Sequence, residues 1–572
     1  MFSVYAYNNS SKNKLLLPAD VVFHENIPPG TTLLCVDAYY EFASLNIDPN
    51  IEVSDNLPNF EGKEQSWYPI VLFNINLDVP RKSVANLRAV IDTRIRVEPP
   101  LSVEKQKINW FCDPMLKIVN SFLDQCHPLS YPELGSKDWY DLWSPFLDHF
   151  QGKKRRLYEV ALTNLEKVNF HCSEFKLDNI DIKVKCDESL LKCDGAQEFL
   201  NRSCKPRIIM PVCTEFQIII GPFFNLLAEY MKFQWFPENA RTFTCLGRNY
   251  SLFYAPGHTV SDISEWFNKS LHAVETLSIA AGGDDSLVVI CLGGKVLIYE
   301  GDASQFDATQ SLGPLQMECL VLERLGLSTS IIAQLKRTFS ANLVARVQHK
   351  KLRSCKLKVT RRKRPMRNTG GPDTTFGNTL IMLLASMFAY SRAIDIEAVE
   401  RAYAFLGLRM KLHVFDEPEA CSFLKGWFTL DFTLQRYHWN PLPSRILKMG
   451  KSLRNPQDIY PNTSASVAAK MFMNDVSYGI NSMTISPIIQ TFCKQFVYSS
   501  CFVEHMPEWF YLLQEGSAKI TLSADNCERA FCLRYCMSST DYRDFMKFLS
   551  EIVLNSFNSH PVAYQMALRD YG

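Results

Sequence analysis

Between residues 275 and 303 the apolar positions gather into three short blocks, ETLSIAA, SLVVICL and KVLIY, rich in β-forming residues. Gly282-Gly283 lies between the first two blocks and Gly293-Gly294 between the last two. Short apolar runs bounded by Gly and Asp predict strands joined by tight hairpins. Three neighbouring antiparallel strands are therefore expected, with Asp284 and Asp285 at the first hairpin tip and Asp302 just past the third strand. After residue 367 the pattern changes. Thr369-Gly370-Gly371 reads as a flexible turn, Pro372 suits the first turn of a helix, and the apolar run Leu380–Tyr390 marks that helix as buried. Thr374 and Asn378 stand four residues apart on one of its faces. Helical periodicity returns in ASVAAKMFMNDVSYGI (465–480) and YRDFMKFLSEIVLNSF (542–557), so the C-terminal part is expected to be helical.

Composition narrows the classes. A chain of 572 residues has room for two to four domains or one multi-lobed enzyme. Its net charge of +1 gives no global argument for a nucleic-acid partner, so any electrostatic footprint must be local. One such place stands out: Lys336 to Arg367 carries thirteen Lys or Arg and no Asp or Glu. No apolar run approaches the roughly 18 residues that cross a bilayer. The 18 cysteines show no CxxC or zinc-type spacing, which predicts free thiols and a soluble intracellular chain. GxxxxGK[ST], GxSxG and HExxH are absent, removing the simplest nucleotidase, hydrolase and metalloprotease readings.

The carboxylates carry the candidate chemistry. A strand down and a strand back, roughly eight residues each, return Asp302 to the sheet edge that bears Asp284. Separately anchored carboxylates at one edge suit a pair of Mg²⁺ ions. A hairpin turn also favours Gly and Asp for reasons unrelated to metals, so these residues alone leave both readings open.

Thr369, Gly370, Thr374 and Asn378 complete a pattern, [ST]-G-x3-T-x3-N, that resembles motif B of viral RNA-dependent RNA polymerases. With Gly-Asp-Asp placed before Asp302 and Asp307, the chain resembles the polymerases whose palm is permuted, motif order C–A–B, as in permutotetraviruses and birnaviruses. Retention of Gly-Asp-Asp leans toward the permutotetravirus group. CKPRIIMPVCTEFQIIIGPFFNLL (204–227) resembles motif F, and FLKGWF (423–428) the motif E hairpin; LGLRMKLHVFDEPEA (406–420) occupies the place of motif D. The resemblance covers about Lys205–Phe428 and leaves the first 170 residues without a motif.

The resemblance implies an α+β right-hand fold with a small antiparallel palm sheet in permuted strand order. The implied division is an N-terminal extension or fingertips (1–170), fingers with motif F (171–265), palm motifs C and A (266–320), a basic fingers insertion (321–366), palm motifs B, D and E (367–431) and a helical thumb (432–572). It implies RNA-templated nucleotidyl transfer from NTPs with two Mg²⁺ or Mn²⁺ ions. Asp302 and Asp284 would be the principal metal ligands and Asp285 an assisting one. Lys205 and Arg207 would neutralise the triphosphate, Asp307 and Asn378 would carry the choice of ribose over deoxyribose, and Thr369 with Gly370 would form a mobile loop for template and incoming nucleotide, Thr374 completing the substrate-binding set. Lys411 would be the proton donor, with His413 competing for that role. The implied partners are RNA template and product, NTPs and viral or host replication proteins, in the host-cell cytoplasm or packaged in the virion. The basic segment is expected to line template and NTP channels, against a nuclear-localisation signal or a solvated basic face. A reverse transcriptase, a template-independent nucleotidyltransferase and a non-catalytic RNA-binding protein are the alternatives.

Overall fold

The computed structural model describes residues 47–58, 83–150, 152–170, 177–185, 207–239, 241–346, 355–448, 524–551 and 560–571, with short strand segments at 35–36, 68–69, 76–80, 190–192 and 451–452. The chain is a mixed α+β protein built around a six-stranded sheet. We number the strands of that sheet β1 (Phe243–Cys245), β2 (Arg248–Tyr254), β3 (Thr276–Gly282), β4 (Asp285–Leu292), β5 (Lys295–Ala303) and β6 (Met410–Phe415). Their spatial order is β6-β5-β4-β3-β2-β1. All neighbours are antiparallel except β2 and β3, which run parallel through the Val260–Ser270 helix. That helix opens on a capping box in which Thr259 and Asp262 satisfy each other's backbone N–H groups.

Side-chain alternation divides the sheet between two cores, because successive residues of a strand point to opposite faces. Ile279, Ala281, Val288, Ile290 and Tyr299 face the large core, where the Thr374–Arg392 helix contributes Leu380, Leu384 and Phe388. Ala280, Leu287, Val289 and Ile298 face a smaller one, closed by Phe253, Trp266, Phe267, Phe428 and Trp439. Every residue of β3 is buried, so this strand reads as a continuous apolar run instead of an alternating one.

Several expectations need adjusting. Asp302 belongs to β5, and Asp285 is the first residue of β4, so only Gly283 and Asp284 form the turn. The Thr374–Arg392 helix starts two residues after Pro372, and Asp373 at its N-cap makes no side-chain cap bond but turns its carboxylate to Arg367. Residues 432–441 are not helical: Arg436–Pro441 is a strand paired with Gly426–Asp431. Among the described residues of the C-terminal part a short 3₁₀ turn, Pro443–Lys448, comes first and the α-helices begin at Ala524; the 465–480 expectation lies outside the described residues.

The described residues among the first 170 join the central core. Val90, Trp110, Phe122, Trp139 and Leu165 are buried in the same cluster as the central sheet and its helix. The basic stretch likewise enters a second sheet, in which Lys356–Thr360 lies between Glu52–Asp55 and Asn342–Arg346. No helix among the described residues is long and apolar enough to cross a membrane.

Candidate functional site

Two glycine-bearing turns bring the carboxylates together. Gly283 takes φ +68° at the first central position of the β3–β4 hairpin, a conformation that costs a side-chain-bearing residue about 1 kcal/mol or more. The register then sets Asp285 directly opposite Asp302, while the Ala303 N–H donates to the Asp284 carbonyl at 3.0 Å. On its other side Asp302 faces Lys411 of β6, and Glu300 faces His413. Asp302, Asp285 and Lys411 thus form one cross-strand row on one face of the sheet.

The electrostatics of this edge are those of crowded anions. Burial pushes the half-buried Asp285 carboxyl up to about 7, with the charges of Asp284 and Asp302 adding to the effect and Lys425 opposing it. Asp284 reaches solvent, yet the surrounding protein strips enough water from its carboxylate to raise its pKa. Asp302 and Asp307 reinforce that shift, while its own backbone N–H and Arg207 counter it. A hard divalent cation would relieve this repulsion, and the donor set is the oxygen-only kind that Mg²⁺ and Mn²⁺ prefer. Among the described residues no group of three or more His, Cys, Asp or Glu is gathered closely enough to hold a metal ion by itself; an ion at this edge would need water or phosphate oxygens for the rest of its shell.

Asp307 sits five residues beyond Asp302, in the short Phe306–Thr309 helix. Both its oxygens accept hydrogen bonds, from Thr369 Oγ1 at 2.6 Å and from Asn378 Nδ2 at 2.8 Å. Residues 62 and 71 positions apart in sequence therefore converge on one carboxylate. Thr374 plays a different part: its hydroxyl donates to the Asn368 carbonyl at 2.9 Å and holds the turn. Gly370 is exposed on that turn. The Arg207–Ile209 strand reaches the same place, since the Met210 N–H donates to the Thr369 carbonyl at 2.8 Å. Arg207 is exposed, and its charge is felt at Asp284. Lys205 lies outside the described residues.

The basic segment departs from expectation at its C-terminal end. Arg361, Arg364 and Arg367 are fully buried, not exposed to a channel. Arg361 donates to the carbonyls of Ala341 and Thr338, at 2.8 and 2.9 Å. Arg364 pairs with Asp48 and donates to the carbonyls of Ile95, Val97 and Ala308. Arg367 is bound to Glu318, Asp373 and Gln310. Chain ends and loops expose carbonyls that a buried guanidinium can satisfy with five donors in fixed geometry, which is why these cations are inside. Lys356, Arg362 and Lys363 remain exposed.

Residues without any sequence signal hold this site in place. Gln106, fully buried, donates to the Thr309 carbonyl at 2.7 Å and accepts from the Ser311 N–H at 2.9 Å, clamping the end of the Asp307 helix. Gln305 Nε2 donates to the Thr93 carbonyl at 2.9 Å. Thr379 accepts the Gly283 N–H at 2.9 Å, tying the Asp284 turn to the Thr374–Arg392 helix. Gly377 did carry a signal, as an isolated glycine in an apolar helix, and its reason is packing: a Cβ there would lie 2.4 Å from Arg367 Nη1 and 2.5 Å from Glu318 Oε1.

The C-terminal side closes the surroundings. The Ser422–Phe423/Gly426–Asp431 hairpin is anchored to β5 through Ser422, whose N–H and hydroxyl both donate to Glu300. A cavity of about 430 Å³ opens beside Asp302, lined also by Lys411, His413, Arg534 and Arg569.

No protein-family model matches the chain, and no curated protein matches it in sequence.

Proposed function

We propose that the chain is an RNA-dependent RNA polymerase whose right-hand palm is built in permuted order. The observation that carries this reading is the convergence of Asp307, Thr369 and Asn378 at the sheet edge bearing Asp284, Asp285 and Asp302. A metal-binding edge alone would suit many enzymes. An acceptor carboxylate held by a Thr and an Asn beside it suits recognition of a sugar hydroxyl. The strand order supports the permutation: β4 and β5 are adjacent and antiparallel, so a two-residue Gly293-Gly294 turn can join strands that a different chain order would connect by a long route.

In this reading Asp302 and Asp284 hold two divalent ions with Asp285 in support, which when bound activate the attacking hydroxyl and stabilise the pyrophosphate that leaves. Arg207, with Lys205, neutralises the triphosphate through charge-assisted bonds to its oxygens. Asp307, already held by Thr369 and Asn378, would accept from the ribose 2′-hydroxyl with a remaining lone pair, and a deoxynucleotide would forgo that added bond. Lys411, paired with Asp302 across β5 and β6, would be the proton donor to the leaving group, with His413 its rival two residues along the same strand. In this reading β3–β5 would carry motifs C and A, the buried Thr374–Arg392 helix motif B and the Ser422–Asp431 hairpin motif E, and the helices from Ala524 on would belong to a thumb.

A templating assay tests the class of reaction. Given RNA homopolymer templates and single NTPs in Mg²⁺ or Mn²⁺, the chain should incorporate only the complementary nucleotide. Incorporation without a template would indicate a terminal nucleotidyltransferase, and RNA binding without synthesis a non-catalytic protein.

A further inference from the structure

Behind Asn378 lies a buried chain of polar side chains that no substrate would touch. Arg367 Nε donates to Gln310 Oε1 at 2.6 Å, Gln310 Nε2 donates to Asn378 Oδ1 at 2.8 Å, and Asn378 Nδ2 donates to Asp307 Oδ1 at 2.8 Å. Gln310 and Arg367 are fully buried, and Asn378 nearly so. The direction of this relay is fixed from both ends. A guanidinium can only donate, so Gln310 must turn its oxygen toward Arg367; an ionised carboxylate can only accept, so Asn378 must turn its amide nitrogen toward Asp307. Inverting either amide would set two donors or two acceptors against each other in a dry interior, where an unmade hydrogen bond costs most.

We propose that Gln310 and Arg367 are positioning residues for sugar selection: they lock the amide of Asn378 so that it orients Asp307 toward a ribose 2′-hydroxyl. The inference rests on the polymerase reading above. Arg367 is itself immobilised by Glu318 and Asp373, and burial, which would weaken its charge, is outweighed by those two carboxylates. Gly377 makes room for this pair. The relay therefore starts from a group with no freedom to turn, and each amide passes its orientation to the next. Thr369, the second donor to Asp307, does not belong to the relay and cannot correct a turned Asn378.

The decisive substitution is Gln310→Glu, which keeps the shape and the acceptor for Arg367 but replaces the donor facing Asn378 by an acceptor. Asn378 must then invert and present its oxygen to Asp307. The expected result is a fall of about tenfold in kcat/KM for NTPs with little change for dNTPs, the loss of one hydrogen bond made to a charged group. In an Asn378→Ala background the same substitution should add nothing to the loss of selectivity. Gln310→Met, uncharged and of similar length, should lower the ratio in the same direction and serves where the glutamate disturbs folding. Equilibrium binding of an NTP and its dNTP in Mn²⁺ is read in parallel. Wild-type preference for the ribonucleotide that disappears in both variants supports the relay whether or not extension occurs. Equal losses for both sugars, or an unchanged ratio in folded variants, overturn it. Absence of extension by the wild-type chain would count against the polymerase reading instead.

Discussion

Asp302 stands directly opposite Asp285 in the β4–β5 ladder, so two acidic side chains occupy one cross-strand pair. Like charges so placed repel, and a sheet has no structural reason to keep them. Placing them on one face, with Asp284 in the adjoining turn, makes sense where a cation joins them.

This pair gives a pH dependence with a definite sign. The Asp285 carboxyl is pushed up to about 7 by burial and by its acidic neighbours, above the ordinary unfolded value near 3.9. Its contribution to stability is therefore greatest below about pH 4 and is lost as pH rises to about 7. Divalent ions compete with that proton. Mg²⁺ or Mn²⁺ should raise Tm more at pH 8 than at pH 5.5, and Asp285→Asn should remove most of the difference. Equal increments at both pH values would separate Asp285 from the cation.

Gly377→Ala should destabilise the protein by about 2–4 kcal/mol in urea unfolding, because the new methyl meets a buried ion pair that cannot retreat. Helix propensity alone predicts the opposite sign, a gain of up to about 1 kcal/mol. A stabilised variant would refute the packing argument.

Thr379→Val keeps the shape of a buried residue but leaves the Gly283 N–H without its acceptor. A stability loss of about 1–2 kcal/mol is expected. Catalysis should fall beyond what the change in folded fraction explains, since the turn that carries Asp284 loses its tie. Activity that simply tracks the folded fraction would limit Thr379 to a structural role.

Arg364→Met addresses the basic segment. Asp48 would be left buried and unpaired, at a cost of about 3–5 kcal/mol. Measured well below the unfolding midpoint, the salt dependence of RNA affinity should keep its slope. A residue that contacts a phosphate would instead reduce the slope by roughly one.

The sequence was most legible where local rules dominate. The hairpins around Gly283 and Gly293-Gly294 follow from turn chemistry, and the Thr374–Arg392 helix from an apolar run too long for a strand. It misled where charge was taken for exposure: RRKRPMR looks like a solvated run, yet three of its arginines are buried among carbonyls and carboxylates supplied by residues as distant as Ile95 and Glu318. Gln106 and Gln310 were invisible for the same reason. A glutamine has no pattern of its own, and its role depends on partners brought close only by the completed fold. Boundaries failed at residues 432–441, where a third strand extends the hairpin that Leu424 and Lys425 begin with positive φ angles.

The most direct measurement is extension of a primed RNA template in Mg²⁺ or Mn²⁺, with NTPs and dNTPs compared for the wild-type chain and Asp302→Ala. A polymerase of this kind extends the primer with NTPs alone, and the substitution abolishes that extension while RNA binding persists. Equal use of dNTPs, or synthesis that survives Asp302→Ala, would contradict the proposed function.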